Sequence, residues 1–223
     1  KIVMSLLASI AEFERDIIAE RIADNMYELA KEGRWLGGVT PTGFYSKKEY
    51  ISCGGRRSSV NHLEPVPEEQ EIVRQIFARF LEFRSVNKIV EWAKAQKIRT
   101  KNGRNHTRTS IKNILQNPVY AIADEDTYRY FSAFEVPVYA DKNDFDGQCG
   151  LMVYNKTEQT KELKDDSSAI HPEYVQKTEQ RGIEEWIISV GKHKGIISGA
   201  DWIAVQKVLK ENKDRFARPN EKS

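Results

Sequence analysis

The sequence predicts a mainly α fold with a small β part (α+β): a long N-terminal helix, a helical core with a helix-turn-helix, then a mixed α/β extension. Three observations lead there. No Gly or Pro interrupts residues 1–32, whereas three glycines and a proline fall within 37–43. Apolar residues then recur at helical spacing in three windows, 68–83, 86–96 and 109–116. Beyond Pro118, short β-rich runs alternate with polar, acidic stretches.

The first element spans residues 1–33. Leu6, Ile10, Phe13 and Ile17 form one apolar row and Val3, Leu7, Ala11, Ile18 and Ile22 a second. That stripe is wide, starts without a cap, and calls for a partner unless it packs on the chain's own core. Arg34 to Phe44 comes next as an extended, turn-rich path, which Trp35 and Phe44 anchor to the neighbouring core. Residues 45–62, with Lys47, Lys48, Arg56 and Arg57, read as a hairpin or loop.

Pro67 suits a helix first turn, and Glu68, Glu69 and Glu71 suit its positive end. That helix runs to about Phe83 and faces inward through Ile72, Val73, Ile76, Phe77 and Phe80, with Leu81 and Trp92 joining the same core. Ser85 is the expected cap of the helix 86–96, and Thr107 or Thr109 of the helix 109–116. Pro118 ends the last of these. Further on, strands are expected at 119–123, 136–139, 151–154 and 186–190, a short helix capped by Asp124, a polar loop over 155–180, and a closing helix capped by Ser198 over 200–213. The expected divisions are 1–33, 34–123, 124–214 and a linker tail, 215–223.

The 223 residues carry a net charge of only +2, but unevenly. Residues 1–123 hold 20 Lys and Arg against 14 Asp and Glu, and residues 124–185 hold 7 against 15. Seven cations lie between Lys94 and Lys112, with no acid from residue 92 to residue 123. Such a run repels itself unless an anion lies beside it, which points to nucleic acid meeting the first part and avoiding the second. The plain alternative is a helical hairpin with a solvated charged loop. On the helix 109–116, Ile111, Ile114 and Leu115 share one face while Arg108, Lys112, Asn113 and Gln116 lie on the other, able to bond phosphates and base edges. Arg34, flanked by glycines, is a candidate for a narrow minor groove.

Chemistry is harder to find. Cys53 and Cys149 are far apart, and His62, His106, His171 and His193 have no ligand spacing, each reading as a loop or surface residue. Neither a phosphate-binding Gly loop nor a nucleophile elbow is present. No catalytic residue, metal or cofactor is assigned. No apolar run approaches membrane-spanning length, so no membrane partner is expected and the location expected is the cytoplasm, which the family resemblance given below narrows to the bacterial nucleoid.

Ala8 to Arg21, Lys31 to Gly38 and Pro41 to Phe44 resemble the long linking helix, and the segment directly after it, of the resolvase/invertase superfamily of serine recombinases. Val66-Pro67 with Ile72-Val73, Ser85-Val86 with Ile89-Val90, Ile98-Arg99-Thr100, and Ile114 to Tyr120 are similar to the recombinase domain of its large members, and Gly191-Lys192-His193 with Ile196-Ile197-Ser198 to its closing stretch. The family's catalytic serine lies in a domain ahead of that helix and its four-cysteine zinc ribbon lies after the matched region. Neither has a counterpart among these residues, so this portion alone is expected to be inactive. The long acidic stretch 124–184 resembles the versions carried by transposons of Gram-positive bacteria.

The resemblance implies recognition of double-stranded attachment-site DNA during integration or excision of a mobile element, with self-association through the N-terminal helix. Arg34 is then expected in the minor groove, Arg108, Thr109, Lys112 and Asn113 in the major groove, and Lys47, Arg56, Arg99, Lys101 and Arg104 on phosphates. A transcriptional regulator with the same helix-turn-helix, or an interaction module built on the apolar helix, are the alternatives.

Overall fold

The computed structural model describes residues 2–53, 56–134, 136–163 and 174–216. Its elements are α1 (Ile2–Lys31), β1 (Phe44–Cys53), β2 (Arg56–Pro65), α2 (Pro67–Phe83), α3 (Val86–Ala95), α4 (Arg108–Gln116), α5 (Glu125–Ser132), β3 (Cys149–Tyr154), β4 (Thr157–Leu163), β5 (Tyr174–Gln180), β6 (Ile187–Lys194) and α6 (Gly199–Phe216). β1 pairs with β2, β3 with β6 and β4 with β5, all antiparallel. The mixed α+β class with a long opening helix is thus observed.

α1 ends on a left-handed glycine. The Gly33 N–H donates to the Ala30 carbonyl (3.0 Å) and the Arg34 N–H to that of Leu29 (3.3 Å), the paired bonds of a Schellman close. Here the helix docks: Ala30 is buried and its carbonyl also accepts from the Ser189 hydroxyl of β6 at 2.7 Å. A Cβ on Gly33 would stand 2.0 Å from the Val190 carbonyl oxygen, so glycine is demanded both by φ and by space. Further back along α1, Leu6, Ile10 and Phe13 remain 47–67% exposed.

The core begins at Phe44 and Leu63 of the first hairpin and gathers Val73, Ile76, Phe77 and Phe80 of α2, Ile89 of α3, and Ile111 and Leu115 of α4. It continues without a break into Leu151, Ile188 and Trp202. Thr107 caps α4 reciprocally, the Ser110 N–H donating to its Oγ1 (3.2 Å) and its own N–H to the Ser110 Oγ (2.8 Å). Ser85 makes no such bond at α3. That corner is held from α6 instead, where Asn212 Nδ2 donates to the Arg84 carbonyl at 2.9 Å.

Several strands differ from expectation. Residues 119–123 form a 3₁₀ turn at Pro118–Tyr120 followed by single bridges, Ala121 to Ile197 and Ile122 to Gly150. Pro118 has no N–H and a fixed φ, and the two bridging residues serve different neighbours, so no ladder grows. The run 136–139 yields only the bridge Val138 to Ile188. The expected loop 155–180 instead contains β4 and β5. Every described side chain of these two strands is exposed, so the apolar alternation that marks a strand is missing. Cross-strand polar pairs such as Gln176 with Gln159 (2.7 Å) take its place. His171 and the tail from 217 onward lie outside the described residues.

Two histidines, His106 and His193, are buried rather than superficial. His193 donates from Nε2 to the Val119 carbonyl at 2.8 Å, sets its ring edge-on to Phe44, and is framed by Gly150 and Gly191, whose added Cβ atoms would reach the ring at 2.4 and 2.7 Å. Desolvation pushes its pKa below the ordinary histidine value, partly opposed by the Val119 bond.

Two outcomes are expected from this packing. Gly33→Ala should lower the unfolding free energy by about 2 kcal/mol or more, read as a fall in urea midpoint; an unchanged midpoint would contradict the account of the α1 terminus. His193 takes up its proton at lower pH in the folded chain than in the unfolded chain, which binds one as pH drops through about 6.5. Its contribution is therefore complete above that pH and is lost as pH falls below it. Imidazole resonances followed by NMR should show His193 of the folded chain titrating at lower pH than a histidine of the unfolded chain; titration at or above that pH would contradict this.

Candidate nucleic-acid interface

α4 has a dry side and a wet side. Ile111, Ile114 and Leu115 are buried, and the 3.6-residue period leaves Thr109, Lys112, Asn113 and Gln116 outward and exposed. No acid lies in its nine residues, so its positive N-terminal end adds to the charge of Arg108 and Lys112 instead of being offset.

On one flank of this face runs a groove of about 1250 Å³ lined by Arg84, Lys88, Arg108, Lys112, Lys213 and Arg215. Its one lining carboxylate, Glu211, is bound to Arg84 at 2.8 Å. Lys88, Lys213 and Arg215 did not emerge from the sequence. Lys88 meets Arg108 because α3 packs on α4, and Lys213 and Arg215 because α6 packs back along α2; the one local hint was the run of cations at the end of α6.

The other flank is a groove of about 720 Å³ between α4 and the 37–42 segment, lined among others by Thr40, Lys101, Asn113, Asn117 and Lys156. The turn from 97 to 106 that edges it is ordered. The Gly103 N–H donates to the Thr100 carbonyl (2.8 Å), the Thr100 N–H to that of Arg104 (2.8 Å), and Arg99 bonds the Asn105 side chain while bridging its backbone. Lys101 reaches across to Thr40 Oγ1 (2.9 Å), the Phe44 carbonyl and Glu69 (3.7 Å), so its ammonium ties this turn to the hairpin side.

The other sequence candidates divide. Arg34 is half-buried, its Nε 2.6 Å from Glu32, and its carbonyl accepts from the Tyr154 hydroxyl, which in turn receives the Leu36 N–H at 3.1 Å. Burial pushes that phenol up to about 12, keeping it a donor. Just beyond, Gly37 and Gly38 take left-handed φ with nothing within 4 Å of an added Cβ, and Val39 is 94% exposed, so the loop tip stands clear of the core. Lys47 lies on β1 beside Glu64 at 3.7 Å. Arg56 opens β2, but its side chain lies outside the described ones. Arg108 and Lys112 share the first groove, Lys101 and Asn113 line the second, and Thr109 lies on the outward face of α4 between the grooves. Arg104 and Arg108 pair with no carboxylate among the described residues.

Among the described residues no group of three or more His, Cys, Asp or Glu is placed to hold a metal ion, and no helix is long and apolar enough to cross a membrane.

Residues 67–212 match the sequence model of a family described as Recombinase. A solved structure described as "Crystal Structure of a LSR-DNA Complex" is 16% identical, with a TM-score of 0.45, over 86% of this chain and 38% of that one. The matched segment begins at the first residue of α2 and closes within α6, so it takes in the whole helical core, and on that match the chain belongs to the Recombinase family.

Proposed function

We propose that this chain is the DNA-recognition part of a site-specific serine recombinase, binding the attachment site of a mobile element for its integration or excision. In this reading α3 and α4 act as an elaborated helix-turn-helix, with the ordered turn 97–106 in place of the usual short connection. α4 lies in the major groove with Thr109, Lys112 and Asn113 toward base edges, and Arg108 with the flanking groove cations on phosphates. The 37–39 tip and the neighbouring Arg34 lie along the minor groove. The cation-rich half meets the duplex, and the acidic hairpin of β4 and β5 points away. One observation carries the reading: the exposed face of α4 is free of acids and lies between two grooves edged by cations.

The exposed apolar rows of α1 support self-association through that helix in the parent protein. Strand cleavage would belong to a catalytic domain other than these residues, and work on chromosomal DNA would place the protein at the nucleoid.

The test is titration of the chain against duplexes carrying the element's end sequences and against scrambled duplexes. Lys112→Ala should reduce discrimination between the two by about 1–3 kcal/mol. Arg108→Ala should weaken both equally and reduce the salt slope by about one. A chain that binds both duplexes alike, with neither variant altering affinity, would contradict the proposal.

A further inference from the structure

Among the described residues, Lys156 is a cation whose placement is hard to explain without a ligand. It lies in the acid-rich half, two residues past the end of β3, and its side chain is half-buried. Its Nζ has one hydrogen-bond partner among the described residues, the Asn117 Oδ1 at 3.2 Å, and no carboxylate within ion-pairing distance. Asn117 follows the last turn of α4, so the ammonium sits on the α4 side of the second groove together with Asn113 and Ser110.

The backbone aims it there. Asn155 holds a left-handed φ of +59°, a conformation that favours glycine, and is locked by its Nδ2 donating to the Glu185 carbonyl at 2.8 Å. The Lys156 carbonyl accepts from the Arg181 N–H at 2.9 Å, which closes the base of the β4–β5 hairpin. Both bonds therefore hold Lys156 fixed with its side chain toward the groove. Burying an ammonium against one neutral amide is unfavourable, and burial lowers its pKa accordingly. An anion arriving in the groove would supply the missing counter-charge, in a partly desolvated place where such a bond is strongest.

We propose that Lys156, with Asn117 beside it, is a binding site for one backbone phosphate of the duplex, contributed by the half of the chain that otherwise repels DNA. This site rests on the proposed binding of a duplex to α4. A lysine that only packs its stem and lifts its charge to solvent is the contrary case.

The test compares the full 223-residue chain with Lys156→Met and Lys156→Gln, measuring duplex affinity at several salt concentrations and thermal stability without DNA. The site predicts a Tm that is unchanged or raised, an affinity lowered about 5- to 10-fold near 0.1 M salt, and a salt slope smaller by about 0.9. Wild-type affinity and slope in both folded variants would overturn it. If those variants bind normally while Arg108→Ala is weakened, only the Lys156 site fails; if the unaltered chain binds no duplex, the broader reading fails with it.

Discussion

The fold depends on the junction between Asn117 and Ile122, where the carbonyls of Asn117, Val119, Tyr120 and Ala121 are each engaged by a distant part of the chain. The Asn117 carbonyl accepts from Trp202 Nε1 of α6 at 3.3 Å, and the Val119 carbonyl accepts from His193 of β6 at 2.8 Å. The Tyr120 carbonyl receives two N–H groups, from Ile196 and Ile197, both at 2.9 Å, and that of Ala121 receives Leu151 of β3 at 3.2 Å. Between them the Tyr120 ring is 1% exposed and packs on Phe44 and Phe77. Leaving any one of these buried carbonyls unpaired would cost about 1–3 kcal/mol. The junction is therefore fixed, and it fixes the C-terminal end of α4.

Geometry at the surface is set by that constraint. With α4 held at Asn117 and capped at Thr107, its outward residues take one orientation, and the grooves on either side take their walls from α6 and from the 37–42 segment. Gln206 of α6 adds a bond to the Leu115 carbonyl at 2.8 Å, so the helix that brings Lys213 and Arg215 to the first groove is tied to α4 itself. The charge of the face is thus a product of tertiary packing around one short helix. Lys101 shows the same principle inverted: its charge stitches the basic turn to Thr40 and Phe44.

Much of the helical architecture was legible from residues alone, because α2, α3 and α4 each bury an apolar stripe, with boundaries marked by Pro67, Thr107 and Pro118. The basic run 94–112 drew attention to the candidate site for a different reason: acids are absent from it. Features decided by distant partners could not be read that way. His193 looks like any surface histidine until Gly150, Gly191, Phe44 and the Val119 carbonyl close around it. Tyr120 to Ile122 have strand-like side chains but are shared among three neighbours, and β4 and β5 lack a buried face. Arg34 and Lys47 were visible as cations, but their carboxylate neighbours Glu32 and Glu64 mattered only once the backbone placed them together.

The central claim is that the outward face of α4 lies against a duplex while the acidic hairpin stays clear of it. A photo-cross-linking residue placed at position 109, on α4, and separately at position 175, on β5, tests this directly with a duplex carrying the element's end sequence. The account predicts a protein–DNA cross-link from 109 and none from 175. Equal yields from both positions, or a cross-link from 175 alone, would contradict it.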